Sequence, residues 1–476
     1  MSHYLVAVSL VLLACVKRVP EGDEEGGATP QQSAPARGGT GAGPGAARPL
    51  PPLPGQGAQV VPPPGALATA SIGVAVPLSG RYKAWGDAIV AGLELALADT
   101  PYQLVKRDTR GEPGGAAQAL AQLAREDQVI AAVGGVTNAE AMAAAQAAQA
   151  EGVPFISLSK VDGVTQAGAF VFRNMLTAEA QTAALADFAV ARRGLKRFAT
   201  LYPETSYGQE LAGSFAGAVA ARGAEVSSSV PYEADRTTFS PMVRDLVGKS
   251  SLERRADYRK AAQEIQKNEK DPFRRKKALE KLRKELPPII TFDAVFIPDF
   301  AKNVALLAPA LAVEDVMTLT CDEPALERFR KATNQPDARA VQLLGANGWD
   351  DPALVAKASR YVECAVFVDG FFAGSQRPAT RRFVEAFEKQ YQHPPTILEA
   401  SAFDAAGLLR GALEAGAVNR EAVRAQLTSG RPWPGATGDL RFDARREPVR
   451  QLFFLTAEKG QLRELTPQEL SAPGAG

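Results

Sequence analysis

From Ser71 onward the chain alternates short apolar runs with stretches of helical spacing, and few architectures tolerate that pattern over most of a sequence. The first unit is SIGVAVPLSGRYKAWGD, Ser71 to Asp87. Ile72, Val74 and Val76 are β-branched and end at Pro77 and a Ser-Gly turn, which predicts a strand. From Trp85 to Ala98 the residues Ile89, Leu93 and Ala96, with Ala88, Ala91 and Leu95 beside them, take helical spacing. A strand therefore runs through a loop into a helix N-terminus, whose free N–H groups and dipole favour an anionic or carboxylate group. Trp85 stands where an aromatic ring can cover the apolar part of such a ligand. A ring there equally serves to pack the loop onto its own helix.

The alternation continues with a strand at Gln103–Asp108, a helix at Ala116–Glu126, a strand at Val129–Val133 and a helix at Ala139–Ala150. Strands at Val153–Ser157 and Phe170–Asn174 follow, then a helix at Ala178–Arg192. This spacing predicts an α/β fold, a parallel sheet with helices on both faces and ligands beyond the carboxyl ends of the strands. A second series begins with a strand at Phe198–Tyr202, a helix at Gly208–Arg222 and a strand at Ala224–Pro231, and reaches a strand at Phe292–Ile297. Two such lobes in succession imply a cleft between them that closes on a small molecule.

The N-terminus carries an apolar run, Leu5 to Ala14, too short to span a bilayer and suited to a signal-peptide core. Leu12-Leu13-Ala14-Cys15 resembles a bacterial lipobox, which makes Cys15 the expected lipidated first residue and the membrane anchor. Val16 in place of Asp after that Cys points to the outer membrane. From Val19 to about Ala70 the composition of Pro, Gly, Ala, Ser and Gln cannot bury a core and predicts a disordered tether. The balance of 54 Lys and Arg against 53 Asp and Glu, +1 over 476 residues, gives no electrostatic case for nucleic acid. With only His3 and His393 and no C-x-x-C pair, no metal site is expected, and no cofactor. Cys321 and Cys364 fit either a disulfide or two buried thiols. No Ser/His/Asp or Cys/His set, paired-carboxylate motif or phosphate loop is present, so an enzyme is not expected.

PLSGRYKAWGD, Pro77 to Asp87, resembles the opening loop of the leucine/isoleucine/valine-binding proteins, the type I periplasmic solute-binding family. LYPETSYGQELAGSF, Leu201 to Phe215, resembles that family's second-lobe entrance. DRTTFSPMVRDL (Asp235–Leu246), DAVFIPDF (Asp293–Phe300), LLGANGW (Leu343–Trp349), YVECAVFVDGFF (Tyr361–Phe372) and GDLRFD (Gly438–Asp443) extend the similarity to about Leu465, apart from two insertions. The resemblance implies a two-lobed fold, each lobe a mostly parallel sheet flanked by helices, with three crossovers near Arg193, Val368 and Arg445. It implies a signal at 1–14, a lipidated Cys and tether at 15–70, and a first lobe from 71–193 and 368–444. The second lobe then takes 194–367, with a basic insertion at 248–288, and 445–476.

By the same resemblance Trp85 and Tyr207 contact the ligand, and Phe300 forms an aromatic wall. In VGGVTNAEAM (Val133–Met142) Asn138 stands where the family presents a Ser hydroxyl to a ligand carboxylate; Asn can cap the helix and donate there. In ISLSKVDGVT (Ile156–Thr165) Ser159 and Val161 occupy the places of a small residue and a carboxylate-binding Thr. The Thr is thus lost, and Lys160 brings a cation between them. Asn347 aligns with the acid that neutralises an α-ammonium, and Asp350 and Asp351 follow as substitutes. A buried ammonium needs a counter-charge, so these losses argue against a conventional branched-chain amino acid.

Two functions follow. One is a lipid-anchored periplasmic binding protein that hands a small polar ligand, an amino acid or related solute, to an ABC permease or senses it. The other is an outer-membrane lipoprotein resembling the activators of penicillin-binding proteins, acting on a cell-wall synthase with a degenerate cleft. Between Lys249 and Pro288 the sequence predicts two basic helices broken at Asp271-Pro272, with apolar stripes at Leu279, Leu282 and Leu286 and at Leu252, Ala256 and Ile265. That arm is either a solvated hairpin or a docking element for an anionic surface or a protein partner. A second excursion, Met317–Ala340, contains Cys321.

Overall fold

The computed structural model describes residues 70–322 and 324–471, so the expected signal segment, Cys15 and almost all of the tether lie outside the described residues. The chain begins with β1 (Ser71–Val76), α1 (Lys83–Leu97), β2 (Gln103–Asp108), α2 (Pro113–Arg125), β3 (Ala131–Gly134), α3 (Asn138–Glu151), β4 (Phe155–Ser157) and β5 (Val171–Arg173). Then come α4 (Ala178–Ala186), β6 (Arg197–Pro203), α5 (Ser206–Ala220), β7 (Glu225–Tyr232), α6 (Ser240–Leu246), α7 (Ala256–Asn268), α8 (Pro272–Glu285), β8 (Ala294–Ile297) and α9 (Ala301–Val313). The remainder is α10 (Ala325–Thr333), β9 (Gln342–Gly345), α11 (Pro352–Ala358), β10 (Val366–Asp369), α12 (Pro378–Tyr391), α13 (Ile397–Glu414) and α14 (Arg420–Thr428). It ends with β11 (Trp433–Gly435), β12 (Gly438–Phe442), β13 (Pro448–Val449), β14 (Phe453–Glu458), β15 (Gln461–Glu464) and α15 (Pro467–Ser471).

The strands form two main sheets. The first runs β2-β1-β3-β4-β5 with every pairing parallel. Because side chains alternate along a strand, Ile72, Val74 and Val76 of β1 pack toward α1 and α13, while Ala75 packs on the opposite side with α2 and α3. The second sheet runs β15-β14-β10-β9-β8-β6-β7, parallel except where β14 pairs antiparallel with β10 and β15. A small antiparallel sheet, β11-β12-β13, flanks the first lobe. The fold is therefore the expected two-lobed α/β arrangement, and both sheets with their covering layers are complete within the described residues.

The first passage between lobes differs in place from the expectation. Leu185 of α4 and Phe188 and Val190 of the π-helical segment that extends it are buried with Phe198, Leu211 and Phe215 of the second lobe. The chain has thus changed lobes by Thr177, ahead of Arg193, because the apolar face of α4 finds its cover only on the second sheet. The return follows β10 at Gly370, and the last passage lies between β13 and β14.

The basic insertion is a helical hairpin, α7 and α8. Asp271 caps α8, its Oδ1 accepting from the Arg274 amide at 2.7 Å, with Pro272 in the first helical position. Tyr258, Ala262 and Leu286 are buried in its seam beside Leu252, Leu279 and Leu282, whereas Ala256 is exposed. Tyr258 fills the place in the seam that the sequence pattern assigned to Ala256. Cys321 and Cys364 form a disulfide, Cα atoms 5.4 Å apart, which ties the second excursion to the turn before β10. No helix among the described residues is long and apolar enough to cross a membrane.

Candidate functional site

The carboxyl ends of the parallel strands in both sheets open toward the space between the lobes, and all seven cleft residues expected from sequence follow such ends. On the first lobe, the β1–α1 loop is pinned by Asp108 at the end of β2, which accepts from the Leu78 amide at 2.8 Å and the Ser79 hydroxyl at 2.6 Å. Gly86 then lets α1 close on that loop, since a Cβ there would sit 1.8 Å from the Pro77 carbonyl oxygen. Trp85, in the first turn of α1, is half-buried and stacks on Tyr82 with centroids 5.1 Å apart; Arg81 covers the other ring at 4.4 Å.

Asn138 is the first residue of α3 rather than its cap. Thr137 caps the helix through a reciprocal arrangement with Glu140, which frees the Asn138 side chain to accept from the Ser159 hydroxyl at 3.3 Å. The Ser159 oxygen also accepts from the Val161 amide at 3.2 Å, shaping the turn that carries Lys160. That turn is held from beneath by Arg173, which is 5 % exposed at its side chain. Its Nη1 donates to the carbonyls of Lys160 and Val161 at 3.0 and 2.7 Å, and its Nε to Glu447 at 2.6 Å.

On the second lobe the Tyr207 ring stacks on Phe300, centroids 4.9 Å apart and planes 20° from parallel. Its hydroxyl donates to Asn347 Oδ1 at 3.0 Å and accepts from the Gly348 amide at 3.2 Å. Gly348 is required by packing: a Cβ would lie 2.8 Å from the Asp299 carbonyl oxygen and 3.1 Å from the Tyr207 hydroxyl. The Asn347 amide donates to Gln181 Oε1 at 2.9 Å, which locks the β9 loop to α4. Two groups are thus assembled, Asn138–Ser159–Lys160 and Tyr207–Phe300–Asn347. Trp85 stands with Tyr82, outside both.

Charges face one another across the space. The Lys160 side chain is exposed to water yet surrounded by both lobes; burial pushes its ammonium down, while Asp369 and Glu210 pull it back up. Asp369 ends β10, is 7 % exposed, and is held well above the usual carboxylate range by burial and by Asp350. Burial and Asp351 push Asp350 up to about 7. Glu210, on the exposed first turns of α5, is raised by partial burial and by Asp162, and lowered by Lys160 and Arg173. Burial first, then the acids Asp369, Asp299 and Glu210, raise the Tyr207 hydroxyl, which stays protonated as a donor.

Asn347 therefore does not act as a counter-ion, being committed to Tyr207. The acids of this region are Asp350, Asp369 and Glu210, while Asp351 is spent capping α11 through the Ala353 amide at 2.8 Å. Asp369, Glu210 and Arg173 were not singled out from the sequence. For Asp369 the signal was present, a lone acid closing the apolar run of AVFVDG. Among the described residues no group of His, Cys, Asp and Glu could hold a metal ion.

Two α/β lobes joined by three passages, with polar residues at the strand ends facing a shared cleft, define a binding protein that closes on a small solute. The chain belongs to the periplasmic binding protein family, whose model matches residues 69–250 and 303–461. Proteins of this family are substrate-binding proteins of ABC transporters, and not enzymes. No curated protein matches the chain in sequence. Among solved structures it is similar to a putative branched-chain amino acid ABC transporter protein from Rhodospirillum rubrum, with TM-score 0.64, 19% identity, and coverage of 83% of this chain and 100% of that one. It is similar to the branched-chain amino acid substrate-binding protein LivJ from Streptococcus pneumoniae in complex with isoleucine, with TM-score 0.52, 19% identity, and 84% and 100% covered. It is also similar to a solute-binding protein from R. palustris in complex with benzoate, with TM-score 0.54, 19% identity, and 83% and 95% covered.

Proposed function

We propose that this chain is a lipid-anchored periplasmic binding protein whose cleft takes a small carboxylate-bearing solute, an α-amino acid before an aromatic acid, for delivery to an ABC-type permease or for sensing. The observation that carries this reading is the opposition of Lys160 on the first lobe to Asp369 and Glu210 on the second, with Asp350 beside Asp369. A zwitterion answers both signs: its carboxylate takes Lys160, and its ammonium takes the acids, which favours their charged forms. The Tyr207–Phe300 stack offers an apolar wall for the side chain. Cys15 would carry the lipid and residues 15–70 would span the distance to the outer membrane.

Unfolding and refolding the protein strips bound ligand, after which amino acids, short peptides and aromatic carboxylates are screened by thermal shift. A ligand at a hundredfold excess over Kd adds about 2.7 kcal/mol, a readily visible rise. Lys160→Met is expected to lose tenfold or more in affinity for the hit. Hits confined to benzoate-like acids would remove the ammonium from the reading and leave the carboxylate.

A second reading, an interaction module like the penicillin-binding-protein activators, is favoured by one observation: the Tyr207 hydroxyl is already satisfied by Asn347 and Gly348. An intact refolded protein with no hit in the screen would support it.

A further inference from the structure

The hairpin of α7 and α8 lies within residues 251–302, the stretch that the family match omits. Between Lys249 and Pro288 there are 14 Lys and Arg against 7 Asp and Glu, in a chain whose total is +1. The rest of the molecule is thus acidic and this arm alone is strongly basic. Its acids are largely engaged inside the arm: Asp257 holds Arg255 at 2.6 Å, Glu253 holds Arg283 at 3.0 Å, and Asp271 caps α8. Its apolar seam, Tyr258, Ala262 and the leucines, faces inward. The base is fastened to the second lobe by Lys249, which donates to Asp315 at 3.0 Å.

What the arm offers outward is concentrated at its tip. Lys267, Lys270, Arg274, Lys276 and Lys277 are exposed, with no carboxylate at ion-pair distance among the described residues. Four successive cations, Arg274 to Lys277, fill the first turns of α8 with no acid among them, the end of a helix where the dipole disfavours positive charge. An anionic surface would offset the positive charge gathered at that end. Among them Phe273 is 75 % exposed, the most exposed large apolar side chain of the described residues. A protein interface would bring an apolar core of several side chains. A single ring amid unpaired cations matches a bilayer, which supplies anionic headgroups and an apolar layer just beneath them.

We infer that the α7–α8 tip docks on an anionic phospholipid membrane, with Phe273 entering the interface and Lys267, Lys270 and Arg274–Lys277 on the headgroups. Docking there fixes the second lobe toward the bilayer, independently of any lipid anchor and of what the cleft binds.

The test uses the chain from Ala70 onward, which holds both complete sheets, in co-sedimentation with phosphatidylcholine vesicles with or without phosphatidylglycerol, at low and high salt. Binding is expected only to the anionic vesicles and to fall at high salt. Each cation near such a surface is worth roughly fivefold, so replacing Arg274, Arg275, Lys276 and Lys277 by Gln should weaken binding more than about 100-fold. Phe273→Ala should weaken it several-fold at unchanged salt dependence, and neither variant should alter the melting temperature appreciably. No binding to anionic vesicles, equal binding to neutral ones, or binding that survives both variants overturns the inference. Cross-linking of the tip to another protein without any vesicle binding would also overturn it, and would assign the arm to a protein partner.

Discussion

Asp350→Asn isolates the electrostatic cost stored in the cleft. The carboxyl is raised from 3.8 to about 7 by burial and by Asp351, so between those values the folded state keeps a proton that the unfolded chain has released. Where the folded state binds more protons, stability falls as pH rises. The contribution of this group is therefore fully present below about pH 4 and lost by about pH 7. A shift of that size corresponds to about 4 kcal/mol; water reaching the partly exposed carboxyl reduces this to about 2 kcal/mol. Asn has the same shape and no charge to bury. Asp350→Asn should therefore match the parent near pH 4 and exceed it by about 2 kcal/mol at pH 8, a gain of roughly 4 °C in Tm. Thermal melts of both proteins across that range read the difference directly. An equal gain at pH 4 and pH 8 would mean a packing effect, and a loss at pH 8 would show that the carboxylate is satisfied there; either refutes the electrostatic argument. The same sign bears on ligands: a solute bringing an ammonium should bind more tightly as pH rises through 7, and a plain carboxylate should not.

Three further outcomes follow from the contacts. Opening the Cys321–Cys364 bridge, 43 residues apart in sequence, should lower stability by about 4 kcal/mol through unfolded-chain entropy, seen as a drop in the urea midpoint on adding reductant that is absent from the Cys321→Ser, Cys364→Ser double variant. Tyr207→Phe leaves the Gly348 amide and Asn347 without their shared partner, which should cost about 1–3 kcal/mol and speed hydrogen exchange at Gly348. Arg173→Met strands the Glu447 carboxylate and frees the Lys160 turn; a loss of about 3–5 kcal/mol in chemical unfolding is expected, with weaker ligand binding in the protein that remains folded.

How much of this was legible in the sequence depends on the range of the forces involved. The first strand and helix were readable because Ile72, Val74 and Val76 must alternate and Ile89 and Leu93 must share a face. The break at Asp271-Pro272 was readable because capping is a local matter of a few residues. The capping box Thr137–Glu140 is equally local, although the family resemblance assigns the start of that helix to Asn138. The disulfide needed a pairing over 43 residues, and the pattern of three cysteines left two outcomes open. Strand ends drifted: Val129–Val133 was expected, and the ladder runs Ala131–Gly134, since Val129 and Ile130 are buried before pairing begins. Asp369 was hidden by its surroundings, for an acid at the end of an apolar strand reads as a strand terminator until the fold shows what it faces.

The contacts around Arg173 explain how a site built from two lobes can hold a fixed geometry on one of them. The Arg173 amide donates to the Arg446 carbonyl at 3.2 Å, and Arg446 donates to the carbonyls of Val171 and Thr165 at 3.1 and 2.8 Å. Glu447 accepts from Thr165 at 2.9 Å as well as from Arg173. The segment after β12 is thus stapled to the first lobe, together with the turn that presents Lys160. Closure has to bend the chain beyond those staples, between β13 and β14, where Arg377 grips the Gln451 and Leu452 carbonyls at 2.9 and 3.0 Å and reaches Glu464 of β15. Lys160 is thus fixed to the first lobe, while Asp369 ends β10 just before the return passage at Gly370. On the proposed function, a ligand that joins the two charges would link a cation carried on the first lobe to an acid beside a passage between the lobes.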